Sequence, residues 1–218
     1  VTGKKIYINW AKEAAEILTK SAVNIDGGIA WKSEGGYRPL LGVAHGAAGI
    51  AWAFAKLYSV TYEAKYQEIV RQALVYEDSN YDAVTNDWKD FRTESVGEEH
   101  QIAWCHGKGG ILLARKNIME LCDDAEISEI CRRDINSNLD HLKKDKARVE
   151  MCLCHGTAGN YEILRQFGDE SRMPFREISK LLFQEKTAPG LMNGLCGIGY
   201  AALRVKYQKY PEILNMKF

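Results

Sequence analysis

Cys154 and His155 are neighbours in Met151-Cys152-Leu153-Cys154-His155-Gly156-Thr157-Ala158-Gly159, a thiol and an imidazole set directly ahead of glycines and a predicted helix. Adjacent side chains cannot share a helix face, but in a turn they can converge on one ion. A third donor stands in Trp104-Cys105-His106-Gly107-Lys108-Gly109-Gly110, where the same order of Cys, His and Gly opens another predicted helix. Thiolate and imidazole suit zinc, and three protein ligands leave one tetrahedral position for a substrate. Two other readings stay open: the cysteines only pack, as buried Cys often does, or Cys152 and Cys196 complete a closed structural site. The open site is preferred over the closed one because Cys152 and Cys196 stand in more apolar sequence.

Two protein thiolates on Zn2+ push charge onto the ion, so a third thiolate, brought by a substrate, stays nucleophilic. Alkylation of that thiol is the reaction such a site favours. Its electrophile becomes an enolate and needs a proton, for which His45 and His106 are the candidate catalytic carriers. His45 occupies, in Ala44-His45-Gly46, the loop position that the metal ligands occupy further on. His106 directly follows a ligand and can instead support it by a hydrogen bond. Asp90 and Arg92, in the loop before Cys105, are candidates to orient His45 or hold a peptide carbonyl, with a solvated ion pair as the alternative. Trp88 and Trp104 are expected to wall the site. His100, His141, Cys122 and Cys131 are assigned nothing.

These residues need elements to bring them together. Apolar residues at Ile6, Trp10, Ala14, Ile17 and Leu18 predict an amphipathic helix over residues 6–23 with one buried stripe. Residues 24–41, with Gly27-Gly28, Gly35-Gly36 and Pro39, read as a structured loop. Residues 50–58 are apolar on every side, the mark of a buried helix, and residues 63–76 return to amphipathic character. A long polar loop over 78–101 delivers the chain to Cys105, and loops of that length in compact domains tend to be functional. Helices follow over 111–121, 126–142, 161–167, 175–185 and 200–207. Gly46, Gly107, Gly156 and Gly194 mark an irregular internal repeat of glycine loop, inner helix and outer helix. Small residues let inner helices crowd around a common axis and gather their loops at one end. The fold class is therefore all-α, an α/α toroid with about four helix-pair repeats, which closes only if further repeats precede Val1.

The chain has 218 residues, 46% of them hydrophobic, enough for a single globular unit over 1–218. Lys plus Arg (29) balance Asp plus Glu (29). No global field recruits nucleic acid or an anionic membrane, so specificity must come from a local site. Six cysteines with neither a signal peptide nor the density of a disulfide scaffold point to reduced thiols in the cytoplasm. No apolar run reaches the roughly 18 residues of an integral membrane segment. The start at Val1, without an initiator Met, suggests a fragment of something longer.

The segments Gly42-Val43-Ala44-His45-Gly46-Ala47-Ala48-Gly49-Ile50-Ala51, Asn86-Asp87-Trp88-Lys89-Asp90-Phe91-Arg92, Trp104-Cys105-His106-Gly107, Leu153-Cys154-His155-Gly156 and Gly190-Leu191-Met192-Asn193-Gly194-Leu195-Cys196-Gly197-Ile198-Gly199-Tyr200 resemble successive motifs of the LanC-like cyclases. The resemblance runs in order over nearly the whole chain and is nearest to the C-terminal cyclase region of type 2 (bifunctional) lanthipeptide synthetases. It implies a LanC-like barrel, with zinc held by Cys105, Cys154 and His155 and acid/base duty at His45. The implied reaction is addition of a precursor-peptide Cys to dehydroalanine or dehydrobutyrine, giving lanthionine or methyllanthionine in lantibiotic maturation. The implied partners are the dehydrated precursor peptide and an N-terminal dehydratase region of the same enzyme. Three departures stand out. Lys108-Gly109 replaces the usual Ala-Pro and puts a charge where substrate contact can change. Gln101 stands where stand-alone cyclases carry Arg, so that role passes to Arg92 or is absent. An Asp of an earlier family repeat would lie before Val1. Alternatives are a stand-alone LanC-like protein that adds glutathione to dehydroamino acids, and an inactive zinc-bearing peptide-binding fragment.

Overall fold

Four described helices start directly after a glycine, which can offer no side-chain cap: α2 (Ala47–Thr61), α4 (Lys108–Leu121), α6 (Thr157–Arg165) and α7 (Leu195–Lys206). A helix start leaves backbone donors unpaired, and here the glycine loop itself supplies the acceptors. Ala47 donates to the Leu40 carbonyl (2.9 Å), Gly110 to Ala103 (2.9 Å), Thr157 to Glu150 (2.8 Å) and Leu195 to Ala188 (2.9 Å), the same step back along the chain each time. The third helical residue is always glycine. A Cβ on Gly49, Gly110, Gly159 or Gly197 would run into the carbonyl oxygen of Val43, Trp104, Leu153 or Leu191 respectively. The repeat is thus a folding unit in which loop and helix touch through bare backbone. Gly49→Ala is expected to cost about 3 kcal/mol, the upper part of the overpacking range, read as a lowered urea midpoint.

The computed structural model describes residues 4–34, 36–92, 102–146, 150–171, 173, 188–207 and 209–216. Around the inner helices stand α1 (Lys5–Ser21), α3 (Ala64–Asp78) and α5 (Ala125–Lys144), with a final 3-10 turn at Ile213–Asn215. Helix α2 buries Ala48, Ala51, Trp52, Phe54 and Ala55, matching its apolar sequence, and packs on both α3 and α4. Helix α4 pairs with α5 and meets α6, which meets α7. Inner helices therefore follow one another with outer helices behind them, an all-α arc of toroid type. The outer helix expected over 175–185 lies outside the described residues.

Two expectations need correction. Helix α1 forms as predicted, but its stripe is not buried: Ile6, Trp10 and Ile17 are 49%, 55% and 69% exposed. It is fastened by the Lys12–Glu63 ion pair and, over its last half, by buried Ala15, Leu18 packed on the core, and the Trp31 indole donating to the Leu18 carbonyl at 2.8 Å. Periodicity reports an apolar face and not the surface that meets it. The loops over 24–41 and 78–101 also hold antiparallel hairpins, β1 (Val23–Ile25) with β2 (Gly28–Ala30) and β3 (Tyr81–Asp82) with β4 (Asp87–Trp88). Asp26-Gly27, both left-handed at φ 51 and 79, is the Asp-Gly turn that such a hairpin uses.

Between the layers lies a buried charge cluster. Arg115 of α4 is fully buried and donates to Glu77 of α3 (2.6 Å) and Asp134 of α5 (2.8 Å). Burial pushes the Glu77 carboxyl up to about 7 against the pull of Arg115, with Asp134 and Asp78 adding to the rise. Ionising Glu77 therefore costs more in the folded chain than in the unfolded one. Its contribution is fully present below the ordinary carboxylate value and lost as pH rises through about 7. A melting temperature measured at pH 5.5 and pH 8 is expected to fall across that interval, and Glu77→Gln is expected to shrink the fall.

Candidate metal centre

The glycine loops are tied to one another, each handing a backbone N–H to the next. Ala44 donates to the Cys105 carbonyl (3.0 Å), Cys105 to the Cys154 carbonyl (3.2 Å) and Cys154 to the Met192 carbonyl (2.9 Å). The three donors and the final acceptor, Met192, occupy the same place in four successive repeats, just before His45, His106, His155 and Asn193. Gly107 sits in the left-handed region at φ 105, where a side chain is strained, and turns the chain from Cys105 into α4.

This arrangement brings the Cys105 and Cys154 thiols and the His155 imidazole together, their ligand atoms all within 4.8 Å of one another. Cys105 is buried, and Cys154 and His155 are half-buried. A hydrogen bond shared with Cys154, aided by His155, brings the Cys105 thiol down to about 6 against the effect of burial. The same bond, with burial, drives Cys154 upward. The two thiols are hydrogen-bonded to each other, and a divalent ion bound between them would displace their protons. Two thiols and an imidazole, closely spaced and partly open to solvent, fit zinc by donor type.

Around this group the other candidates assemble unevenly. The His45 and His106 rings stack with centroids 5.9 Å apart, His45 exposed and His106 half-buried. Burial takes His106 down to about 4, with the charges of Arg92 and His45 in the same direction and Asp90 opposing. Arg92 Nε donates to both Asp90 oxygens, at 3.0 and 3.1 Å, so the pair stands clamped beside His106. Gln101 and His100 lie outside the described residues.

The Lys108 charge does not reach the surface. It is buried, donates to the Asn86 carbonyl at 2.7 Å and lies 3.7 Å from an Asp87 oxygen, fixing the hairpin loop to the start of α4. Helix α4 begins at Lys108, and the turn at Gly107 aims the side chain back into the protein. The Trp88 ring is in the core, edge-on to Tyr81 and under the Arg115 guanidinium, and the Trp104 indole donates to the Leu214 carbonyl at 3.2 Å. Cys196 is exposed on α7, contrary to its apolar sequence, while Cys152 is buried as expected. Cys122 and Cys131 are buried and pushed up to about 11 and 12, which makes them unreactive packing residues. Sequence reasoning missed Glu150, whose carboxylate lies 2.5 Å from His155 Nε2. Its signal was positional: it precedes the ligand pair in the same loop, and its carbonyl receives the first N–H of α6.

A family model for lanthionine synthetase C-like proteins matches residues 3–217. The lacticin 481/lactococcin biosynthesis protein LcnDR2 of Lactococcus lactis subsp. lactis is 30% identical, the match taking in 76% of this chain and 20% of that protein. The chain thus spans about a fifth of that relative's length. A solved structure of a nisin cyclase resembles it with a TM-score of 0.61 at 17% identity, over 82% of this chain and 50% of the other. At that identity the likeness concerns the fold, and it agrees with the α/α toroid read from the helix order.

Proposed function

This chain belongs to the lanthionine synthetase C-like family, and from that premise we propose that residues 1–218 are the C-terminal portion of a cyclase domain that closes thioether rings in a dehydrated precursor peptide. The observation that carries the reading is the convergence of Cys105, Cys154 and His155 at the mouth of the inner helices. These three residues would hold a zinc ion. Bound there, zinc supplies the charge that keeps a peptide thiol ionised at neutral pH.

The chain's own residues handle the rest. In ring closure the thiolate sulfur bonds to the β-carbon of dehydroalanine or dehydrobutyrine, the π electrons of the C=C bond move to the α-carbon, and a proton arrives there. His45, exposed on the open side of its stack with His106, is the proton carrier, and His106 behind it sets its ring plane. Arg92, locked by Asp90, offers its remaining guanidinium face to a peptide carbonyl. His45→Asn is expected to slow ring closure by about 10²–10⁴-fold, the worth of a positioned proton carrier, with zinc content unchanged.

Zinc per chain, measured by elemental analysis, and ring closure on a dehydrated peptide test the proposal. Cyclisation leaves peptide mass unchanged, so the readout is the loss of sites that a thiol-alkylating reagent can label. One zinc and loss of labelling are expected. A chain that instead consumes glutathione, or binds peptide without closing rings, overturns it. We place the dehydrating partner in an N-terminal region of the same enzyme, supported by the fifth of LcnDR2 that this chain matches. Six free cysteines support a cytoplasmic setting, and no helix among the described residues is long and apolar enough to cross a membrane.

A further inference from the structure

Beside the Cys105–Cys154–His155 group stands a second set of donors. Glu150, Cys152 and His155 also bring their ligand atoms within 4.8 Å of one another. The Glu150 carboxylate lies 2.5 Å from His155 Nε2, and the Cys152 thiol, buried, points to the same carboxylate oxygen at 4.0 Å. The loop fixes these groups by backbone: Thr157 donates to the Glu150 carbonyl (2.8 Å) and Gly159 to the Cys152 carbonyl (3.2 Å). The cluster is thus held by the same frame that starts α6. One oxygen, one sulfur and one nitrogen donor match the borderline divalent ions, zinc and cobalt among them.

We propose that Glu150, Cys152 and His155 form a second binding site for a divalent ion, sharing His155 with the thiol pair. A neutral imidazole has one nitrogen with a free lone pair, so His155 can serve only one ion, the sites exclude each other and the chain holds one ion at a time. The two sites differ in access. Glu150 is the most exposed of the five donors, while Cys152 is buried like Cys105, so Glu150 makes its group the outer site and leaves the Cys105–Cys154–His155 group as the inner one. An ion on the outer site is reached from solvent past Glu150, one ligand exchange from the thiol pair. The inference goes beyond ring closure and requires no peptide.

Cobalt binding to the purified chain tests it, because each coordinating thiolate adds to the sulfur-to-cobalt charge-transfer absorption. Wild type is expected to take up one cobalt with the intensity of two thiolates. The Cys105→Ala, Cys154→Ala double variant is expected to keep one cobalt, more weakly, with about half that intensity, one thiolate instead of two. Adding Cys152→Ala removes the remaining absorption, and adding Glu150→Gln instead weakens binding further. Near-ultraviolet circular dichroism checks folding, and the Cys105→Ser, Cys154→Ser pair replaces the alanine version if that one has lost its tertiary signal. The proposal is overturned by a folded double variant that binds no cobalt, by binding indifferent to Cys152→Ala, or by two ions in wild type. The outcomes separate from those of the first site. Wild type with one thiolate's intensity would overturn the Cys105–Cys154 assignment and leave the second site standing.

Discussion

Cys154→Ala is expected to remove bound zinc from the inner site and abolish ring closure in the same variant, whereas Cys196→Ser changes neither. Both residues are cysteines at the start of a repeat, and the difference lies in where the backbone puts them. Cys154 gives its N–H to Met192 and takes those of Trp104 and Cys105 on its carbonyl, so its thiol is set beside that of Cys105. Cys196 is one residue inside α7 and exposed. Loss of a residue that merely supports a metal ligand costs about 10–100-fold in affinity or activity, so loss of a ligand should exceed that range. Sulfur-to-cobalt charge-transfer intensity, which counts coordinating thiolates even where the second site takes up the ion, and labelled-thiol counts on a dehydrated peptide read the two effects separately. Retention of both by Cys154→Ala sinks the assignment of the inner site.

Arg115→Ala is expected to destabilise the chain by about 3–5 kcal/mol, the cost of removing one partner from a buried ion cluster. The guanidinium holds three helices through Glu77 and Asp134, and without it two carboxylates share an apolar interior. For a chain of this size that corresponds to a melting temperature lower by roughly 6–20 °C. Glu77→Gln in the same background is expected to recover part of the loss, because the amide does not need a counter-charge. A double-mutant cycle gives the coupling. A drop below 1 kcal/mol for Arg115→Ala would show that the cluster contributes little.

Much of the fold can be read from glycine and alanine alone. Gly46, Gly107, Gly156 and Gly194 mark the repeat because each precedes a helix whose first turn lies against its own loop, a contact that only residues without bulk allow. The ligands could be read for the same reason, since Cys105 and Cys154 stand at equivalent points of that loop. Other features depend on distance in space and leave no such trace. Nothing near Lys108 announces that its ammonium reaches back to Asn86 and Asp87. The exposed stripe of α1 has the period of a buried one. Arg115 looks like any helix-surface arginine until α3 and α5 close over it. A glutamate in a turn is ordinarily solvated, and only the turn geometry puts Glu150 beside His155.

The chain of N–H donations from one glycine loop to the next also sets an order of events during synthesis. Cys105 and its carbonyl leave the ribosome well before Cys154, and the Cys154 N–H lacks its acceptor until Met192 has been translated. The nascent chain can therefore hold its first helix pairs long before the thiols are in register. A metal site built on Cys105, Cys154 and His155 would thus be completed late, once Met192 has emerged and the Cys154 N–H has its acceptor.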